Sequence, residues 1–491
     1  MVDPKVIRTV RRYLSVLRQH NIPATGVVVY GSHVRGTARP DSDIDVLVVS
    51  PAFDSDRWSL DRELWRLTLK VDTRIEPVPV GQRQLLEDRA SPLLEIARRE
   101  GITIDADDSA AMSEEEGVRH TVSFLPWLKL AEAVEVGDVV FWPYPDRRDY
   151  FPVSSSLEAQ LQRIFGSYVD VRGTPTDELT VVSFCADPFK DLSDEEADRI
   201  SELVRLLAFS VMAGNDYYPQ AGGYFNATFF QHYHQRFHPG SLWVAPDTRR
   251  RGGRTLHGGY KHGELKFTMP LQTVTPFKAR PNQPLIQALA NLWKQTTADT
   301  AAIRQAIDWY FLANTDSDSV SARTEVVMMA SAFEALFQVQ DERGKKEALM
   351  VLLPVLFAPC LADEAERTGI DGRRGKKPWK IWWMDEFYWL RNKIVHGGKI
   401  DRGRMTWTFE EHLALAALIL SICVKLKLAQ LSLYTLTQED ESRADCLDFF
   451  VADGNLSEDK WFQAMRKASS DRTRQKFLEH LKGIIPAPPT S

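Results

Sequence analysis

The sequence predicts a multidomain α+β protein: an N-terminal α/β domain, a mixed α/β middle region and a C-terminal all-α helical bundle. Three observations carry this. Between 27 and 50, two apolar β-branched runs flank a Gly-Ser turn and a polar loop. Between 117 and 282 the chain is rich in aromatic residues and holds no single long period. From 283 to 435 the apolar residues recur at helical spacing. With 491 residues, 44% of them hydrophobic and 26% charged, the chain has enough material for several separate cores.

In the first region Val6, Val10, Tyr13, Leu14 and Leu17 mark an amphipathic helix over 4–19, which Pro23 ends. Strands are expected over 27–30 and 44–49, a helix over 59–70, a third strand through Ile75 and Val78, one helix over 82–100 and a short strand over 101–104. Pro77 and Pro79 make the third strand an edge or terminating one. The domain ends near 105, and the acidic stretch 106–116 reads as a linker.

The chemistry concentrates at Gly31-Ser32 and at Asp43 and Asp45. Residues two apart on a strand point to the same side, so the two aspartates aim at one point, as oxygen ligands for a hard divalent cation such as Mg²⁺ (or Mn²⁺). Gly31 permits a tight turn. A helix opening at Ser32 would turn free N–H groups toward phosphate oxygens. A triphosphate on Gly-Ser, bridged by metal to an Asp pair, is equipment for nucleotidyl transfer.

This stretch resembles the nucleotidyltransferase superfamily, in particular its minimal branch, through Gly31-Ser32, Arg35-Gly36 and Ser42-Asp43-Ile44-Asp45. The resemblance implies an NTP substrate, ATP first among them, held by Gly31, Ser32, Arg35 and Ser42, with metal on Asp43 and Asp45. It also implies a third carboxylate on a later strand. Glu76 lies in the middle of the apolar run and is the choice; Asp72 shares its parity and is the rival.

In the middle region, strands are expected over 139–142 and 179–184, and a helix over 192–214 with Ser193 as its N-cap. A basic, histidine-rich patch follows: His232, His234, Arg236, His238, Arg249 to Arg251, Arg254, His257, Lys261 and His262. Tyr233, Phe237 and Tyr260 interleave with it, a composition suited to tracking RNA and stacking bases.

The C-terminal bundle, 283–435, has helices over 284–312, around 326–337, 347–357, 379–395 and 410–433. A charged, partly helical tail, 436–491, follows. Arg391, Asn392 and His396 form an Arg-Asn-x3-His pattern before Gly397-Gly398. With Glu334 in the FEALF segment and helical surroundings, the region resembles a HEPN domain of the Apea-like type. That resemblance implies a metal-independent ribonuclease acting on RNA (tRNA included) in defence or a toxin–antitoxin pair, with assembly as a homodimer or higher. His396 would be general acid or base, Arg391 would stabilise the phosphorane, and Asn392 and Glu334 would assist. Residues five apart on a straight helix diverge by roughly 140°, so Arg391 and His396 need a helix break or a second copy to share a site. The bundle as a nuclease under a nucleotide-sensing transferase, or as a non-catalytic dimerisation scaffold, are the competing readings.

A net charge of −6 argues against a protein that coats nucleic acid. Cys185, Cys360, Cys423 and Cys446 are too scattered for a zinc site or a disulfide framework. The N-terminus lacks a signal-peptide layout, and the run 413–424 is short for a membrane span, so a cytoplasmic protein is expected.

Overall fold

The structure, a computed structural model, describes residues 2–20, 22–39, 42–54, 60–88, 91–105, 120–145, 154–216, 223–237, 243–250, 253–256, 260–261, 265–339 and 344–484. Two compact units emerge, Met1–Gly117 and Val118–Ser491. The acidic linker expected at 106–116 lies outside the described residues.

The first unit runs α1 (Pro4–Gln19), β1 (Gly26–Val29), the one-turn α2 (Ser32–Arg35), β2 (Ile44–Ser50), α3 (Asp61–Thr68), β3 (Ile75–Gly81), α4 (Gln82–Glu87), α5 (Pro92–Glu100) and β4 (Ile102–Asp105). Its sheet has the order β3-β2-β1-β4, with β2 and β3 parallel and the other pairs antiparallel. Strand alternation sorts the core onto two faces. Val27, Val29, Ile44, Val46 and Val48 pack with α1 and α3. Val28, Leu47, Val49 and Val80 pack with Leu94 and Ala97 of α5. Asp45 has the parity of the second set. β3 is an edge strand, where Pro77 and Pro79 cost no ladder bond on the open side. The single helix expected over 82–100 is two. Ser91 caps α5 by accepting from the Leu94 N–H at 3.5 Å, and Pro92, without an N–H, starts a helix but cannot continue one.

The second unit opens with β5 (His120–Leu125), β6 (Val134–Val136), β7 (Val139–Tyr144), α6 (Ser155–Phe165), β8 (Tyr168–Val169), β9 (Leu179–Phe184) and α7 (Asp194–Met212). It continues with β10 (Tyr233–Phe237), β11 (Trp243–Arg250), β12 (Gly253–Leu256), β13 (Tyr260–Lys261) and β14 (Phe267–Thr268). An antiparallel sheet takes the order β12-β11-β10-β5-β9-β7-β6, with β13 beside β11. Ser193 caps α7 in a reciprocal box with Glu196. Phe124, Trp142, Tyr168 and Phe237 form an aromatic core on one face of the sheet with α6.

The helices that follow are α8 (Gln283–Trp293), α9 (Ala298–Ala313), α10 (Ala322–Leu336) and α11 (Lys345–Leu356), then the hairpin β15 (Glu364–Thr368) and β16 (Arg374–Pro378). The last four are α12 (Trp379–Val395), α13 (Phe409–Gln430), α14 (Gln438–Val451) and α15 (Glu458–Ile484). One apolar core reaches from Leu125 to Ala468, on both sides of the divisions expected at 282/283 and 435/436. The segment read as a charged tail supplies Leu447, Phe450 and Trp461 to that core. Its acids are buried because each has a cation: Asp440 with Lys425 at 2.7 Å, Asp448 with Lys380 at 2.6 Å, and Asp445 with Arg472. By length and composition α13 could cross a membrane, and 78% of its apolar window is buried inside the unit.

Candidate active site

The site in the first unit begins with a backbone requirement. Gly31 caps α2 at φ +76°, a left-handed conformation that favours glycine, and a Cβ there would overlap the Asp45 carboxylate. Backbone and carboxylate are therefore in direct contact, which a glycine alone allows. The Tyr30 N–H donates to the Asp45 carbonyl at 3.1 Å and continues the β1–β2 ladder to the site. Gly36, at φ +73°, ends the helical turn. The loop to β2 is pinned by its own atoms: the Arg39 N–H donates to Ser42 Oγ at 2.8 Å, and the Ser42 N–H to the Arg39 carbonyl at 3.0 Å. Ser42 thus shapes the loop. Arg35 is half exposed, its guanidinium 3.6 Å from Glu100.

β2 and β3 pair in parallel with Ile44 opposite Ile75 and Asp45 opposite Glu76. Asp43 stands exposed just before β2. Asp45, Asp43 and Glu76 share one electrostatic neighbourhood. Burial, then the Asp43 charge, raises the Asp45 carboxyl above its usual range, against the pull of His33 and Arg35. Desolvation, then Asp43 and Asp45, raises Glu76. Burial with the charges of Asp45 and Glu76 pushes the Tyr30 phenol up to about 12. Asp72, the rival for the third carboxylate, precedes β3 in a turn. The Arg74 guanidinium grips both its oxygens, at 3.1 and 2.8 Å, and holds its carboxyl below the usual range.

Among the described residues no three His, Cys, Asp or Glu side chains stand ready to enclose a metal ion. The carboxylates are a donor set facing excess negative charge, not a closed shell. That suits Mg²⁺, which takes one or two protein carboxylates and completes its octahedron with water and substrate phosphate.

Residues 9–89 match the nucleotidyltransferase domain family model. The match spans Gly31, the Asp pair and Glu76, and it stops before α5. No curated protein and no solved structure matches the chain.

Two residues of the transferase domain's site went unread in the sequence. His33 is buried, with Nε2 3.3 Å from the Ser42 carbonyl, so it ties the Gly31-Ser32 turn to the aspartate loop. Tyr30 is the cross-strand neighbour of Asp45. Once the strands are paired, alternation alone puts Tyr30 beside the carboxylates.

In the second unit, Glu334 on α10 gathers three groups. The Tyr388 hydroxyl donates to it, Arg391 donates from Nη2 at 3.0 Å, and Lys345 from α11 at 2.6 Å. Arg391 also donates to Asn392 Oδ1 at 3.1 Å. Glu334 and Arg391 are largely buried, their side chains 11% and 17% exposed. His396 stays apart. It is exposed at the C-cap of α12, where Gly397 (φ +66°) and a Gly398 N–H bond to the Lys393 carbonyl at 2.8 Å stop the helix. Arg391 and Glu334 are thus brought together, and His396 is not joined to them within one chain.

The basic patch of the middle region is not a stacking platform where it is described. Phe237 is buried and Tyr233 is half-buried against the aromatic core. Ser123 Oγ lies 2.7 Å from His234 Nδ1, and Ser201 Oγ 2.8 Å from His232 Nε2. Arg236 donates to the Leu192 carbonyl. Strand periodicity turned these aromatics inward, which the composition alone does not reveal. Arg249, Arg250, Arg254, Tyr260 and Lys261 fall on β11 to β13; His238, Arg251, His257 and His262 lie outside the described residues.

Proposed function

We propose that the transferase domain moves a nucleoside monophosphate from an NTP, ATP first among them, to a hydroxyl of RNA or protein, with Mg²⁺ (or Mn²⁺) held by Asp43 and Asp45. The observation that carries this is the Gly31–Asp45–Glu76 arrangement: glycine backbone against one carboxylate, and a second carboxylate opposite it on the next strand. The N–H groups at the Gly31-Ser32 turn and the Ser32 hydroxyl bind the triphosphate. Arg35 offers its exposed guanidinium to the phosphates. Bound metal would neutralise the phosphate oxygens as pyrophosphate leaves. Glu76, with its carboxyl raised, takes the proton of the acceptor hydroxyl as that oxygen bonds to the α-phosphorus and the bond to pyrophosphate breaks.

The test is a denaturing gel of the full chain with α-labelled ATP, Mg²⁺ and total RNA beside Asp43→Ala/Asp45→Ala. Label on RNA or protein that vanishes in the variant supports the reading. Equal label in the variant sinks it.

A second reading is favoured by the Glu334–Tyr388–Arg391–Asn392 network beside an exposed histidine. We propose that the bundle is a HEPN-like ribonuclease, working as a homodimer that brings His396 of one copy toward Arg391 of another. The transferase domain would regulate it, in the cytoplasm and in a defence or toxin–antitoxin role. RNA cleavage in EDTA that His396→Ala abolishes supports this. Cleavage that survives it leaves the bundle a scaffold.

A further inference from the structure

The hairpin β15–β16 has no part in either reading. Its turn and second strand carry Arg373, Arg374, Lys376 and Lys377, and the two arginines are 90% and 76% exposed. With α11 and α12 the hairpin bounds an open cleft of about 570 Å³. At its inner end two ammonium groups, Lys346 and Lys377, converge on the one buried carboxylate of Asp385, a surplus of positive charge. The outer cations have acidic neighbours: Arg374 with Glu366 at 3.2 Å, Lys376 with Glu364 at 3.1 Å and Arg373 with Asp371 at 3.8 Å. Exposed pairs of this kind are weak, and a phosphate competes well for the same donors.

We propose that this cleft binds the phosphate backbone of single-stranded nucleic acid without reading its sequence. Arg374 and Lys376 lie on one face of β16 and Lys377 on the other, toward Asp385, so cations flank the cleft from both sides of the strand, and guanidinium forks match phosphate oxygens. Trp382, which a base would need for stacking, is buried. Lys377 covers it at 4.4 Å from the ring centroid, and its Nε1 donates to the Ala365 carbonyl. Recognition therefore rests on charge, and RNA and DNA strands bind alike. Asp385 and Asn392 lie seven residues apart on one face of α12, and His396 follows one turn later. His396 is thus roughly 16 Å from Asp385 at about 1.5 Å per residue, within reach of a strand that leaves the hairpin. For the fate of the strand, though not for its binding, this rests on the ribonuclease reading.

The test is fluorescence anisotropy of labelled oligouridylate with the full chain in EDTA, across a salt series. Arg373→Ala/Arg374→Ala, which touches only exposed side chains, weakens binding, and adding Lys376→Ala/Lys377→Ala brings the loss to about tenfold or more. The slope of log affinity against log salt falls by about 0.7 for each phosphate contact removed. Asp385→Asn keeps every cation, frees two lysines and tightens binding. Oligothymidylate binds like oligouridylate. Wild-type affinity and slope in the folded quadruple variant overturn the proposal. So does displacement of the strand by micromolar ATP, which makes this a nucleotide site, or by polyglutamate at equal charge, which makes it an acidic-peptide site. Binding without cleavage would sink the ribonuclease reading alone; cleavage with binding indifferent to the hairpin would sink this one alone.

Discussion

The two charged clusters differ in how their charge is balanced. At Asp43, Asp45 and Glu76 like charges are pressed together, and Asp45 and Glu76 are both raised, first by desolvation and then by their acidic neighbours. At Glu334 one carboxylate meets Arg391, Lys345 and the Tyr388 hydroxyl, so its charge is answered within the chain, while Arg391 Nε stays buried without a partner among the described residues. The first arrangement costs stability unless something cationic arrives. The second contributes stability as it stands. A cluster of like charges and a carboxylate already matched by cations call for different first experiments: activity for one, stability for the other.

The largest expected effect breaks the first cluster. Asp45→Asn removes a proposed metal ligand and lowers nucleotidyl transfer by about a hundredfold or more, while its melting temperature in EDTA rises, because one of the crowded charges is gone. Gly31→Ala gives a comparable loss of transfer through steric means alone, since its Cβ displaces the Asp45 carboxylate, and it lowers the melting temperature. Label incorporation and thermal melts on both variants separate charge from shape. A fall in stability for Asp45→Asn in EDTA would contradict the picture of an unbalanced cluster.

The second cluster is sharpened by a double-mutant cycle. Arg391→Ala leaves a largely buried Glu334 with fewer donors and costs about 2 kcal/mol. Glu334→Gln removes the charge from the other side. The coupling between them is about 1 kcal/mol or more if the pair is structural, read from denaturant melts. No coupling would place Arg391's role outside the fold.

How legible these clusters were follows from the signals that made them. Of the Asp pair, Asp45 falls on β2 as the strand period expects, whereas Asp43 stands just before the strand, so alternation alone does not set its direction. Helix α12 was readable to the residue because apolar positions fill Trp379 to Val395 and two glycines stop it. The split between α4 and α5 was missed because Ser91-Pro92 sits inside an otherwise continuous helical pattern. The hairpin β15–β16 was missed because charged residues dominate both strands and no apolar alternation marks them. Helix α14 was read as part of a charged tail because its acids are buried by partners far away in sequence, such as Lys380 and Lys425. Tyr30 needed the β1–β2 register and His33 the fold of the loop back onto α2, which no periodicity carries.

A smaller effect tests the charge balance through pH. Asp45 and Glu76 have raised folded-state pKa values. Between the unfolded and folded pKa the native state then binds more protons than the unfolded one, so stability falls as pH rises through that window. In EDTA the melting temperature of the transition that belongs to the first unit should fall as pH climbs just above the ordinary carboxylate range, and Mg²⁺ should restore it. The transfer rate runs the opposite way and rises over the same window as Glu76 loses its proton. A melting curve indifferent to both pH and Mg²⁺ would mean the carboxylates do not repel one another.

The smallest effect comes from a control inside the second unit. Glu325 is held near Asp316, and burial with that charge pushes its carboxyl up to about 7. Asp316 is fixed by the Tyr224 hydroxyl at 2.7 Å and by Asn226 Nδ2 at 2.8 Å, so Glu325 is the partner that takes the proton. This is like-charge crowding without a glycine turn or a second strand to make it a site. Its stabilising contribution is complete below the unfolded glutamate pKa and is lost as pH rises to about 7. Glu325→Gln should therefore melt about 1–2 °C above the parent chain at pH 8, and Mg²⁺ should not change the difference. If Mg²⁺ instead stabilised the second unit's transition in the parent as strongly as the first unit's, crowded carboxylates alone would bind metal in this protein, and the Gly31–Asp45–Glu76 arrangement would lose its claim to be distinctive.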